Sequence, residues 1–130
     1  MKAVLLFILI FLVFFIFVAI WIDELWAETA SYYTVESCKR EGTSGVMANG
    51  EPLNDEGLTC ASWDFDFGTI LMVTNLDNGL STRVEVTDRG PNKRLYNKGR
   101  TIDLSKKAFS EIADLKQGII QIEKSTLQTN

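Results

Sequence analysis

Two aspartates, Asp88 and Asp103, stand at the ends of extended segments within the stretch from Val84 to Ser105. An alternating polar and apolar run precedes Asp88, the pattern of a half-buried strand, and Gly90 and Pro91 end that run. Carboxyl groups at neighbouring strand ends are suited to acid–base chemistry. The alternative is that each one only forms a turn or accepts backbone amide bonds.

The elements that must position this pair are mostly strands. A short extended piece, Thr101 to Asp103, leads to Leu104 and to Ser105, a candidate helix N-cap. Apolar residues at helical spacing then predict one short helix from Lys106 to Leu115. We expect strands over Ala30–Val35, Thr69–Asn75, Thr82–Asp88 and Ile119–Glu123, with Asn78-Gly79 forming a hairpin between the second and the third.

Composition excludes several function classes. The chain has 13 basic and 17 acidic residues and no histidine. Without residues 1–22, which contain only the base Lys2, 12 basic residues face 17 acidic ones, a net charge of −5. This balance argues against a nucleic-acid partner, and the missing histidine removes the commonest metal ligand. We therefore expect no metal and no cofactor.

The N-terminus carries an apolar run from Ala3 to Ile22, about the 20 residues needed to cross a membrane. Cleavage sites after Ala27 and Ala30 are poor, so a signal anchor is favoured over a signal peptide. Lys2 before the run, with Asp23 and Glu24 after it, predicts an inside N-terminus and an exported domain in the cell envelope. The expected organisation is a signal anchor or signal peptide (1–22), a linker (23–29), a barrel domain (30–124) and a flexible tail (125–130).

Two cysteines, Cys38 and Cys60, both lie in the exported part. An even count in an oxidising compartment predicts one disulfide between them, with a metal site as the weaker alternative. The bond would close the irregular section from Glu36 to Thr59.

Several motifs resemble the double-psi β-barrel of the rare lipoprotein A family, which is related to bacterial expansins and to barwin-like domains. The similarity runs from about Ala30 to about Glu123. Its motifs are Phe67-Gly68-Thr69, Val73-Thr74-Asn75-Leu76, Asn78-Gly79, Thr87-Asp88-Arg89-Gly90-Pro91, Gly99-Arg100, Ile102-Asp103-Leu104-Ser105 and Ala108. The resemblance implies a mainly β fold, a six-stranded double-psi β-barrel with one short helix.

The resemblance also implies roles for particular residues. Asp103 matches the key acid of the relatives, and Asp88 matches a second residue that expansins need. Glu51 matches a third candidate catalytic residue, in a family segment of the form Gly-Glu-x-x-Asp. The Asp of that segment is replaced by Asn54, with Asp55 beside it, and Ser62 stands where the family has His.

Four side chains are candidates for substrate binding: Tyr33, Trp63, Asp55 and Arg89. Aromatic faces stack on sugars, yet Tyr33 has an equal alternative as a barrel-packing residue, and Trp63 fits either the core or the groove. Asp55 would substitute for the missing family Asp.

The resemblance implies that the chain acts on peptidoglycan or a related cell-wall polysaccharide as an endolytic transglycosylase. The alternative is an expansin-like module that binds glycan and loosens the wall without cutting it, which the changes at Asn54 and Ser62 favour. A third interpretation, an inhibitor on a barwin-like barrel, has no supporting feature. We expect membrane contact through the N-terminal helix and a monomer, although the sequence leaves the oligomeric state open.

Overall fold

The structure is a computed structural model that describes residues 1–25 and 27–127, with the backbone alone for residues 23–25. The charges of Asp23 and Glu24, the linker residue Trp26 and the tail from residue 128 to 130 therefore lie outside the described residues.

The described chain contains six strands, four helices and one 3₁₀ turn. In chain order they are α1 (Lys2–Leu25), β1 (Glu28–Tyr33), α2 (Val35–Arg40), β2 (Thr59–Ser62), β3 (Ile70–Asn75), β4 (Ser81–Asp88), α3 (Lys93–Tyr96), β5 (Arg100–Ser105), α4 (Lys106–Ile112), the 3₁₀ turn (Leu115–Gln117) and β6 (Ile119–Thr126).

The six strands close into a barrel in the order β1-β5-β2-β4-β3-β6. Strand β1 runs parallel to β5, and β2 runs parallel to β4, while the remaining neighbours are antiparallel. A closed barrel leaves no unpaired sheet edge, so a domain of this size can satisfy its backbone hydrogen bonds internally. The predicted mainly β, six-stranded double-psi barrel is confirmed.

Apolar side chains that alternate along the strands fill the barrel. Strand β4 illustrates the pattern, since Val84 and Val86 are buried, while Arg83 before them and Glu85 between them are exposed. Helix α4 covers one opening with Phe109 and other apolar residues. The fully or nearly buried core comprises Ala30, Cys60, Leu71, Val73, Val84, Val86, Ile102, Leu104, Ala108, Phe109, Ile112, Ile120 and Ile122.

Two local predictions hold. Ser105 is the N-cap of α4, because its hydroxyl accepts a hydrogen bond from the amide of Ala108 at 3.2 Å. Strands β3 and β4 form the expected hairpin, in which Gly79 has φ +74° and its amide donates to the carbonyl of Asn75 at 2.8 Å. Only the glycine of the Asn-Gly pair takes a positive φ.

Other local expectations need correction. The barrel carries three short helices in place of one, because polar caps create α2 and α3 in segments that lack apolar periodicity. Thr34 and Ser37 form a reciprocal capping box at the start of α2, within the section expected to be irregular. At the other end of the chain β6 continues to Thr126, because it pairs with β3 as far as Leu71.

The predicted disulfide is wrong in this structure, where Cys38 and Cys60 are both free thiols. The β2 residue Cys60 is fully buried in the barrel core, whereas Cys38 lies on α2 and lines a surface groove. Burial raises the pKa of the Cys60 thiol to about 12, which makes it an inert packing group.

Helix α1 contains the span Lys2–Ile22, whose mean hydropathy of 3.5 and length suffice to cross a membrane. Its side chains make no buried contacts with the described barrel. A membrane anchor and a signal sequence both fit this segment.

Candidate functional site

A groove of about 810 Å³ crosses the barrel surface and contains both predicted aspartates. This volume is in the range of ligand-binding clefts. Its walls come from β1, α2, the loop that follows α2, and the segment between β4 and β5. The charged lining residues are Glu41, Asp88, Arg89, Arg94, Lys98, Arg100 and Asp103, and the others include Tyr32, Tyr33, Cys38, Met47, Ala61 and Leu95.

Strand register brings the two aspartates together. Strand β2 lies between β4 and β5, and its residue Ala61 is opposite Asp88 on one side and Asp103 on the other. A bulge between Cys60 and Ala61 sets this register. Since neighbouring strands are about 4.8 Å apart, the Asp88 and Asp103 backbones are separated by about 10 Å. The residue of β2 between them, Ala61, has only a methyl side chain.

Three hydrogen-bond donors hold the Asp88 carboxylate. Its Oδ1 accepts from the amides of Ala48 and Arg89, both at 2.8 Å, and its Oδ2 accepts from the phenol of Tyr33 at 3.1 Å. Burial and the adjacent Asp88 charge raise the pKa of the Tyr33 phenol, so it remains a donor. Asp88 is therefore a fixed acceptor in the groove wall.

Asp103 has a different environment. Its side chain is only 14% exposed, and its Oδ1 accepts from Arg100 Nε at 2.9 Å and Nη2 at 2.8 Å. Burial raises the pKa of Asp103 above its usual range, opposed by Arg100 and assisted to a lesser extent by Glu41 and Asp88. The other oxygen, Oδ2, lies next to Gly90, where a Cβ atom would stand 4.0 Å away. Among the described residues Oδ2 forms no hydrogen bond or salt bridge, and Asp103 lines the groove.

Arg100 is a site residue that strand periodicity misses. Residues three apart on a regular strand point to opposite faces, so Arg100 should be directed away from Asp103. A bulge in the pairing with β1 changes the alternation, because Thr29 faces Arg100 while the next residue, Ala30, faces Ile102. The only signal in the sequence was the motif Gly99-Arg100, which directly precedes the motif of Asp103.

Tyr33 and Arg89, both predicted to bind substrate, line the groove. Arg89 also has a structural role, since its Nη1 donates to the carbonyls of Ser62 and Phe65 at 2.7 and 2.8 Å. Its guanidinium stacks 3.9 Å from the centre of the Phe67 ring. One of its two terminal nitrogens is thus bound to the wall, and its substrate contact stays a prediction.

The other three predicted site residues lie outside the groove lining. Trp63 is 39% exposed and supports the groove from behind, because its indole NH donates to the Pro91 carbonyl at 2.6 Å. Asp55 accepts the amide of Val35 at 2.9 Å and so fixes the start of α2. Glu51 is exposed, and its carboxylate accepts from the Asn49 side chain at 3.2 Å.

The residues at the two substituted family positions, Asn54 and Ser62, both have structural roles here. Asn54 accepts the amide of Glu56 at 3.0 Å in a local turn, and Ser62 is fully buried in β2. Within residues 1–25 and 27–127, no cluster of three or more Cys, Asp or Glu side chains is placed to hold a metal ion.

The barrel order and the paired carboxyl groups in its groove define a protein of the double-psi β-barrel class. The family model described as "Lytic transglycolase" matches residues 27–124, and the chain belongs to this family.

Individual relatives agree with this assignment. The chain is 44% identical over 71 residues to the endolytic peptidoglycan transglycosylase RlpA of Campylobacter jejuni, which covers 55% of this chain and 24% of the relative. It spans about a quarter of the length of this relative and of the RlpA relatives from Synechocystis and Nostoc.

Solved structures share the fold. A Streptomyces papain inhibitor superposes with a TM-score of 0.58 at 24% identity, covering 78% of this chain and 93% of the inhibitor. An Asp-to-Asn mutant of Clavibacter michiganensis expansin in complex with cellohexaose gives a TM-score of 0.53 at 25% identity, covering 78% of this chain and 50% of the expansin.

The hydrogen bond from Tyr33 to Asp88 gives the first test. Replacing Tyr33→Phe removes one of the three donors and should lower the free energy of unfolding by about 1–2 kcal/mol, because a carboxylate loses a charge-assisted bond. Urea unfolding of the full-length chain in detergent, followed by tryptophan fluorescence, measures the change.

Tyr32→Phe is the matched control. Among the described residues the Tyr32 hydroxyl forms no hydrogen bond, and its ring packs 4.9 Å from that of Phe109. Loss of the hydroxyl in Tyr32→Phe should therefore change the free energy of unfolding by less than about 0.5 kcal/mol. Equal effects of the two variants would contradict the assigned role of Tyr33.

Proposed function

We propose that this chain is a lytic transglycosylase of the cell envelope that cleaves peptidoglycan glycan strands, with Asp103 as its catalytic acid. The observation that carries the proposal is the environment of Asp103, a largely buried carboxyl group that lines the groove, with one oxygen bound by Arg100 and the other without a hydrogen bond among the described residues. Family membership and the activity named for the Campylobacter jejuni relative support the same reaction.

The reaction needs one group that first donates and then accepts a proton. Protonated Asp103 gives its proton to the glycosidic oxygen, and the bond from that oxygen to the anomeric carbon breaks. The resulting carboxylate takes the proton of the sugar's own 6-hydroxyl, whose oxygen forms the new bond to the anomeric carbon. The products are a free 4-hydroxyl and a 1,6-anhydro end, and no water is consumed.

The groove supplies the proton and the charge that this scheme needs. Burial of Asp103 raises its pKa and so favours the protonated acid before cleavage. Arg100 then stabilises the carboxylate that forms, since its guanidinium already binds Oδ1. Asp88 is a fixed negative charge two strands away, suited to stabilising positive charge that develops on the sugar ring.

Specific observations favour one competing function, an expansin-like module that binds glycan without cleavage. Glu51 lies outside the groove lining, and Ser62 at the family's His position is buried. Neither side chain lines the groove in this structure. The expansin complex with cellohexaose is a neighbour in fold, and such a module would use Asp88, Asp103 and the aromatic Tyr33 for binding alone.

Substitution of the acid distinguishes the two functions. The full-length chain in detergent is incubated with purified peptidoglycan, and mass spectrometry detects anhydro-muropeptides. Wild type should release them, and Asp103→Asn should lower the rate by about 10²–10⁴-fold, the usual contribution of a general acid.

Asp77→Asn makes the same chemical change on an exposed hairpin residue outside the groove lining, and it should retain the wild-type rate. Peptidoglycan binding by wild type without any anhydro product, where a known lytic enzyme yields it, would reject cleavage and leave the expansin-like function.

We also propose that α1 is retained as an anchor, with the barrel outside the cytoplasm. The expected linker of residues 23–29 is shorter in this structure, because α1 extends to Leu25 and the barrel strand β1 begins at Glu28. The hydropathy of Lys2–Ile22 and the poor cleavage sites at Ala27 and Ala30 support retention. The protein purified from membranes should have the full-length mass. A soluble protein that begins at Glu28 or Ser31 would identify α1 as a cleaved signal sequence.

A further inference from the structure

The segment between β4 and β5 contributes two basic residues to the rim of the groove. Arg94 lies on α3 and Lys98 follows four residues later, and both line the groove. Asn97 between them keeps helical dihedrals, φ −64° and ψ −16°, so the turn continues and both residues share one side. Leu95, 37% exposed, lines the groove on the same rim.

Side-chain bonding separates these two residues from the other bases of the groove. The Arg89 guanidinium is bound by backbone carbonyls, and the Arg100 guanidinium is bound by Asp103. Within the described residues, neither Arg94 nor Lys98 takes part in a salt bridge. Their two positive charges are therefore free to meet a ligand.

Among the described lining residues four bases outnumber three acids, so the acids do not neutralise the groove. Asp88 is bound by two backbone amides and the Tyr33 phenol, and Asp103 is paired with Arg100. Glu41 is the only further acid among the lining residues described. The rim is thus locally positive in a domain whose overall charge is negative. A local field of this kind concentrates anions in a cleft.

The neighbouring base Lys93 is directed elsewhere. Its ammonium lies 3.8 Å from the centre of the Trp63 ring, and Trp63 supports the groove wall from behind. The bases of α3 are therefore directed to two sides, one towards Trp63 and the other towards the groove. Lys93 stabilises the wall, and Arg94 with Lys98 faces the groove.

We propose that Arg94 and Lys98 form a subsite for a carboxylate carried by the glycan, an inference that rests on the proposed action on peptidoglycan. The planar guanidinium of Arg94 matches a carboxylate in a two-bond arrangement, and Lys98 adds a point charge. The subsite makes the chain selective for acidic wall glycan over neutral glycan. The carboxylate comes either from the lactyl group of a muramyl sugar or from an attached peptide.

Binding to three soluble oligosaccharides of equal length tests the subsite. They are a neutral N-acetylglucosamine oligomer, a muramyl oligomer with free lactyl carboxylates, and a muramyl oligomer with attached peptides. The full-length chain in detergent should bind at least one acidic oligomer on the order of tenfold more tightly than the neutral one, as expected for charge-assisted hydrogen bonds. Preference for one acidic oligomer identifies the source of the carboxylate.

Arg94→Gln combined with Lys98→Gln should remove this preference and leave the affinity for the neutral oligomer unchanged. The single variants should each lose part of it. Lys116→Gln alters the charge of an exposed residue outside the groove lining and should retain it. Equal affinity of wild type for all three oligomers, or a preference that survives in the double variant, would overturn the proposal.

Products are analysed by mass spectrometry in the same samples. Acid-selective binding that depends on Arg94 and Lys98 supports the subsite even where no anhydro product is released. Failure of the cleavage proposal is therefore distinguishable from failure of the subsite.

Discussion

The site depends on the register of β2 between two other strands. Ala61 is the residue that faces both Asp88 and Asp103, and the bulge beside Cys60 is what brings Asp88 opposite it. A shift of one residue would turn side chains to the other face of the sheet and separate the two acids. The barrel core fixes this register, because Cys60 and its partners Val86 and Leu104 are fully buried. The packing of the interior thus determines the geometry of the groove.

Once the register is set, the surroundings of the two acids give them different chemistry. Asp88 receives three donors, including two backbone amides, and acts as a fixed acceptor. Asp103 receives only the Arg100 side chain among the described residues, and burial raises its pKa. A carboxyl group whose environment raises its pKa is a recurrent basis for acid–base catalysis. Arg94 and Lys98 at the rim extend the same groove towards an acidic ligand.

Much of the fold could be predicted from local patterns. Alternation predicted β4, the Asn78-Gly79 pair predicted the β3–β4 hairpin, and Ser105 was recognisable as a cap, because each of these depends on residues adjacent in sequence. The short strand β2 and the capped helix α2 were missed. Four residues carry too little periodicity to identify a strand, and α2 begins through a polar capping box and has no buried residue.

The candidate site could be predicted only in part. The motif resemblance predicted that Asp88 and Asp103 belong to one site, but residue type alone did not reveal what each side chain contacts. Asp55 and Trp63 stabilise loops behind the groove, through bonds to Val35 and Pro91 that lie 20 and 28 residues away along the chain. Cys38 and Cys60 fail to pair because one lies on a surface helix and the other points into the core. These contacts, and the separation of the two cysteines, depend on tertiary packing, which cannot be deduced from residue types alone.

Titration of Asp103 shows whether it is a protonatable acid within the groove. Carbon-detected NMR of the aspartate carboxyl groups in the full-length chain in detergent, with the Asp103 signal assigned by its loss in Asp103→Asn, follows each pKa. The midpoint for Asp103 should lie above the ordinary aspartate value of about 3.9, because burial raises its pKa. A midpoint at or below that value would mean that the Arg100 ion pair outweighs burial, and it would contradict the assignment of Asp103 as the acid.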